Sequence, residues 1–294
     1  MFYLEKSKNL SKETIVKEYR EKKELFTKEL LQIKEEKLLI SGEDIWGMEE
    51  NELLNMQLFL KQTFPNALIK IILCTRNPSE YISSGLPQAV QTGFMLIPPY
   101  EFKMIPFIWA TKKIASIFNI DNLMIYDFED AKKHNLGLVG YFLENVLQIK
   151  NLGTSNIKIL RDNDSITDLA VHIIKYINIS TSSSLFAKGQ DGGTLKYERY
   201  LNDTQALWSL KGDKFKLDKE YVKELYKKLE PELKWLKENF NIDYNIENVT
   251  YTEERYKIPD NFFETIKKTS VKLSRIVRRS FYEWLCKEIQ TRKG

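Results

Sequence analysis

An α/β fold is what this sequence predicts, and three observations carry the prediction. Apolar runs at 38–41, 68–75 and 122–128 have strand length, and segments with helical apolar spacing alternate with them. The chain of 294 residues is 43% hydrophobic and 12% aromatic, enough for a full core. Strand, helix, strand in succession forms a parallel crossover unit, so the expected sheet is parallel and flanked by helices.

The elements follow in order. Ile15, Tyr19, Phe26, Leu30 and Ile33 recur at helical spacing among charged residues and predict a long amphipathic helix over 12–36. "KLLIS" reads as a buried strand, "GEDIWG" as a turn, 51–63 as a helix and "LIKIILCT" as a second strand. Helices over 78–91 and 101–118 lead to "NLMIYDF", the third strand. Two more helices are predicted over 137–148 and 166–178. The second opens with a capping-box pattern, Ser165 to Asp168, and carries a stripe of Ile166, Leu169, Ile173 and Ile177. The Ser-, Gly- and Asp-rich stretch 178–205 reads as a surface loop or lid. A charged helix over 218–240, an irregular connection over 241–262 and a last helix over 263–290 complete the chain. The division this suggests is an α/β domain over 1–240, followed by a connection and a basic amphipathic helix over 241–294.

Charge and cysteine content narrow the function. The 45 basic and 41 acidic residues leave a net charge of +4, too balanced for bulk attraction to nucleic acid, so any anion site must be local. Cys74 and Cys286 cannot build a disulfide framework and lack metal-ligand spacing, which fits a reducing compartment. No apolar stretch reaches signal-peptide or membrane-span length, and the expectation is a cytoplasmic protein.

The stretch "CTRNPSEYISSG", 74–85, holds the candidate binding residues. Arg76 follows a strand, at the edge where parallel sheets bind ligands and helices offer free N–H groups. Asn77 suits the N-cap and Pro78 the first helical position, and Ser84 lies about two turns on, facing the same way as Asn77. Arginine and hydroxyl can therefore converge on one anion, most naturally a phosphate. The alternatives are structural: an ion pair or carbonyl cap for Arg76, and a small residue under a neighbouring helix for Ser84.

The run "LLISGED…IKIILCTRNPSEYISSGLPQAVQTG…DNLMIYDFED…LVGYFLENVLQI" resembles the middle of bacterial members of the sulfotransferase superfamily, over roughly residues 35–180. The resemblance implies a P-loop NTPase-like α/β architecture and a sulfate donor, 3′-phosphoadenosine 5′-phosphosulfate (PAPS), with an acceptor hydroxyl plausibly on a carbohydrate or glycan and no metal. In that family an Arg at a strand end and a Ser eight residues later bind the 3′-phosphate, a role the resemblance carries to Arg76 and Ser84. The family's Lys-Thr-Gly-Thr-Thr-like loop, which holds the 5′-phosphosulfate, is not found here. The one candidate, "MFYLEKSKNLSKET", has lysines but no glycine to let the backbone wrap a phosphate. That departure suggests an N-terminally truncated chain or a degenerate relative serving as a binding or scaffold module. Pro87 is a second departure, expected to kink the helix just beyond Ser84.

Four further features complete the candidates. Glu43 follows the first apolar run, where a carboxylate can act as general base toward the acceptor hydroxyl; Asp44 is the near alternative, and a helix start or a pairing with Arg76 is the structural one. Lys188, in "AKGQDGGT", is similar in setting to the Arg-Lys-Gly loop that closes over the 3′-phosphate in cytosolic sulfotransferases, against a lid without phosphate contact. His134 and His172 match no strand end and are assigned surface or core-edge roles. The basic C-terminal helix either packs on the domain or lies on an anionic membrane surface.

Overall fold

Two strands pair in a parallel sheet, β1 (Ile71–Thr75) beside β2 (Leu123–Asp127), in a computed structural model. The described residues are 11–42, 45–91, 106–149, 166–185, 207–208, 210–249, 251, 262–270 and 272–293. The α/β class holds in coarse form: the described residues are mostly helical, with a small two-stranded sheet flanked by helices.

Two compact units divide the chain, Met1–Leu73 with Trp109–Met124 and Cys74–Ile108 with Ile125–Gly294. In the first, α1 (Lys12–Leu31) starts where the Ser11 hydroxyl accepts from the Thr14 N–H, and it ends five residues before the expected limit. Helix α2 (Glu50–Thr63) is opened by a reciprocal capping box between Glu49 and Glu52. Phe26 of α1 stacks on Phe59 of α2 at 6.3 Å, and Leu53, Ile114 and Phe118 are buried. The run 38–41, expected as a buried strand, is not one. Leu38, Leu39 and Ile40 are 42%, 50% and 42% exposed, because a strand needs a ladder partner and none of the described residues supplies one.

The second unit carries the rest. Helix α3 (Pro78–Gln91) runs from the end of β1 and continues past Pro87. Helix α4 (Pro106–Phe118) contributes buried Ile108 to this unit's core. After β2 come the short α5 (Phe128–Lys132) and α6 (Gly137–Tyr141), the latter continuing into a π-helical turn, Phe142–Val146. Helix α7 (Asp168–Leu185) starts two residues later than expected and buries Leu169, Ile173 and Ile177 of the predicted stripe, while Ile166 is buried just ahead of it. Each such side chain contributes about 1.5–3 kcal/mol. The loop expected from 178 onward is a correction in its first part: residues 178–185 stay helical, and buried Asn178 donates to the Val90 carbonyl at 2.9 Å.

Helix α8 (Lys219–Phe240), capped by Asp218, buries Val222, Leu225 and Leu229 against Ile82 and Leu86 of α3. The single last helix becomes two, α9 (Phe262–Ser270) and α10 (Arg275–Lys293). The break has a local cause: the Ser274 carbonyl starts a new ladder by accepting from Arg278 N–H, while the Arg278 guanidinium reaches back to the Leu273 carbonyl. Val277, Phe281 and Trp284 of α10 pack with Phe262, Leu273 and the apolar face of α7.

Candidate functional site

In a parallel sheet both strands end on one edge, and each here runs into a helix within two residues. The β1 junction is Arg76-Asn77. Asn77 caps α3: its Oδ1 accepts from Ser79 N–H at 3.1 Å, from the Ser79 hydroxyl at 2.7 Å and from the Tyr226 hydroxyl of α8 at 2.7 Å. The start of α3 is thus held by its own turn and by a side chain 149 positions away.

Arg76 and Ser84 meet as the spacing predicts. Arg76 Nη1 donates to Ser84 Oγ at 2.8 Å, and the Ser84 hydroxyl donates to the Tyr81 carbonyl at 2.9 Å. Arg76 Nε donates to Glu129 Oε1 at 3.2 Å, and the guanidinium carbon lies 4.8 Å from the centroid of the Phe128 ring. Glu129 is held in turn by Lys132, whose Nζ donates to Oε2 at 2.9 Å. The Arg76 side chain is 23% exposed, so the guanidinium is fixed on three sides yet open to solvent. Nη2 has no hydrogen-bond partner among the described residues. An edge of a cation, set beside a hydroxyl that can turn its proton outward, can take an oxyanion.

The β2 junction is braced rather than open. Asp127 caps α5 by accepting from Asp130 N–H at 2.8 Å, and its other oxygen accepts from the Tyr244 hydroxyl at 2.6 Å. The same hydroxyl lies 2.8 Å from Thr75 Oγ1 at the end of β1. Burial, then donation to the Asp127 carboxylate, drives the Tyr244 phenol far above its ordinary value. Burial likewise pushes Tyr226 up to about 12, against the lowering effect of its bonds to Ser79 and Asn77. Both phenols are neutral clamps. Asp127, with both oxygens engaged, braces the β2 end against α5 and Tyr244.

Of the residues singled out in the sequence, Arg76 and Ser84 come together in the second unit. Glu43, Asp44 and Lys188 lie outside the described residues, as do 186–206, the remainder of the proposed lid. His172 is 42% exposed and its Nε2 lies 3.4 Å from Asp168, one turn earlier on α7. His134 lies 3.2 Å from Glu144 and edge-on to Tyr141. Glu129, Phe128 and Tyr244 were not anticipated. The signal for the first two was present: "FED" follows β2 as "RNP" follows β1, and parallel strands place those two tripeptides on one edge.

The fold and the described residues together define only a coarse class: a mostly helical α/β protein with an arginine-serine pair where β1 runs into α3. Compared with family models, curated proteins and solved structures, the chain matches none.

Proposed function

We propose that the protein binds a phosphorylated nucleotide of the 3′-phosphoadenylyl type, with Arg76 and Ser84 on the 3′-phosphate, and uses PAPS to sulfate an acceptor hydroxyl on a carbohydrate or glycan. The observation that supports this reading is the 2.8 Å contact between Arg76 Nη1 and Ser84 Oγ, which brings a guanidinium and a hydroxyl together at one point. In the proposed reaction the acceptor oxygen attacks sulfur in line, a new sulfur–oxygen bond forms, and the bond from sulfur to the 5′-phosphate breaks. 3′,5′-Adenosine bisphosphate leaves, and the acceptor proton passes to Glu43.

The described residues fit one end of such a nucleotide. For the other end they offer no glycine at either strand-to-helix junction, 76–77 or 127–128, and so no backbone wrap for a phosphosulfate. That observation favours a second reading, a binding or scaffold module that retains the phosphate cradle without transfer. Contact with an anionic membrane belongs to the same set of proposals. The apolar face of α10 is spent on the core, so such contact rests on exposed basic residues such as Lys268, Lys272, Arg275 and Arg279.

Thermal unfolding with 3′,5′-adenosine bisphosphate, ATP and an Arg76→Ala control tests the cradle. A ligand at 100 times its Kd that binds only the folded state adds about 2.7 kcal/mol, a midpoint shift of a few degrees. A shift with the bisphosphate that Arg76→Ala abolishes supports the nucleotide reading. Label transfer from PAPS to a glycan pool then separates enzyme from binding module. No shift at millimolar bisphosphate removes both.

A further inference from the structure

Glu129 is the residue in this site whose role neither resemblance nor motif supplied. Its two carboxylate oxygens are divided between two cations, Oε1 accepting from Arg76 Nε and Oε2 from Lys132 Nζ. It stands on α5, whose first turn is tied to the β2 end by Asp127 and, through Asp127, to Tyr244. The carboxylate therefore has a fixed origin. An arginine is a planar fork with five N–H donors, and its position on a ligand depends on which of them are already committed. Here Nε is committed to Glu129 and one Nη1 hydrogen to Ser84, and the plane is held against Phe128. What remains uncommitted among the described residues is the end carrying Nη2 and the second Nη1 hydrogen, on the guanidinium whose Nη1 meets the Ser84 hydroxyl.

We propose that Glu129 is the positioning residue of the phosphate cradle: by holding Arg76 Nε it turns the Nη1–Nη2 end of the guanidinium toward a phosphate dianion seated beside Ser84. The inference rests on the nucleotide reading above. It differs from the opposite role, in which Glu129 occupies the arginine in place of ligand and weakens binding. The two make opposite predictions. A positioning carboxylate is needed for its acceptor oxygen, so an amide that also accepts from Nε suffices; a competitor is removed by either change, and both raise affinity.

The experiment is isothermal titration of the full chain with 3′,5′-adenosine bisphosphate and with 5′-AMP, which lacks the 3′-phosphate, for wild type, Glu129→Ala, Glu129→Gln and Lys132→Ala. The arginine Nε–H resonance of Arg76, assigned with Arg76→Lys, is recorded in each as a reading independent of ligand. Positioning requires that Glu129→Ala weaken the bisphosphate about 5- to 20-fold with 5′-AMP unchanged, that Glu129→Gln stay within about 2-fold of wild type, and that the Nε–H signal broaden only in the alanine variant. Those magnitudes lie at and below the low end for one charge-assisted hydrogen bond, as expected when the bond is weakened by misplacement and not lost. Tighter binding by Glu129→Ala overturns the proposal in favour of competition, and so does an unchanged Nε–H signal. Failure of wild type to bind the bisphosphate overturns the nucleotide reading and this inference with it, and is told apart because no variant saturates while the Nε–H pattern still responds to Glu129→Ala.

Discussion

Replacing Tyr244 with Phe keeps the ring and deletes one hydroxyl, the one that ties the two strand ends together. The hydroxyl belongs to a buried pair, Tyr244 at 9% and Thr75 at 0% exposed, and Asp127 is half-buried. Its donation to Asp127 at 2.6 Å is a bond to a charged group, worth about 1.5–3 kcal/mol. Thr75 Oγ1, left behind, can still donate to the Tyr126 carbonyl at 3.4 Å, so its orphaning adds at most about 1 kcal/mol. The expected cost is about 2–3 kcal/mol. Urea unfolding followed by tryptophan fluorescence reads it: with a slope of about 3 kcal/mol/M, the midpoint falls by about 0.8 M. Thr75→Val then supplies a double-mutant cycle. Alone it costs about 1 kcal/mol, and on top of Tyr244→Phe it costs less than about 0.5, since both members of the pair are then gone. A Tyr244→Phe cost below about 0.5 kcal/mol, or strict additivity in the cycle, refutes the clamp.

Four further outcomes are expected. Ser84→Ala lowers affinity for 3′,5′-adenosine bisphosphate by about 10- to 150-fold, the loss of one hydrogen bond to a charged ligand, and leaves the unfolding midpoint within a degree or two, measured by titration and calorimetry. Ile173→Ala, at a fully buried position of α7, costs about 2–5 kcal/mol in urea unfolding. Asp218→Ala removes the acceptor for Tyr221 N–H at the start of α8 and costs about 1 kcal/mol by the same measurement. Above pH 10 stability falls as the pH rises toward about 12. Tyr226 keeps its proton in the folded state while the unfolded chain releases it near 10, and the contribution lost is about 2–3 kcal/mol. Tyr226→Phe flattens that limb of a pH-stability curve, and an unchanged slope counts against the burial argument.

What could be read from the sequence was local. Helix α3 appears at the expected residues because Asn77 and Pro78 mark its start without help from elsewhere, and the α7 stripe is buried as its spacing requires. The Arg76 and Ser84 contact follows from the same local geometry, eight residues on one helix start. The errors share a cause as well. "KLLIS" has strand composition, but strand identity depends on a partner that no local pattern encodes, and Leu38 to Ile40 remain exposed. Ser-rich 178–185 reads as loop, yet one buried amide on Val90 and a continuing α7 outweigh propensity. Glu129 and Tyr244 were out of reach for a related reason: their partners lie 53 positions away for Arg76 and 117 for Asp127, so only the assembled strand ends bring them together.

The Tyr244 clamp also orders events in time. It joins Thr75 to a side chain 169 positions later, so the loop it closes spans more than half of the chain. At the ribosome, where about 5–20 residues are added per second, that separation is a delay of about 8–34 s. During that interval β1 and the Arg76 turn exist without their brace, and the entropy of closing so long a loop must be met before the clamp contributes anything. The Arg76 turn is therefore made early in synthesis and stiffened late, and a chain interrupted before Tyr244 carries Arg76 and Ser84 at an unbraced strand end.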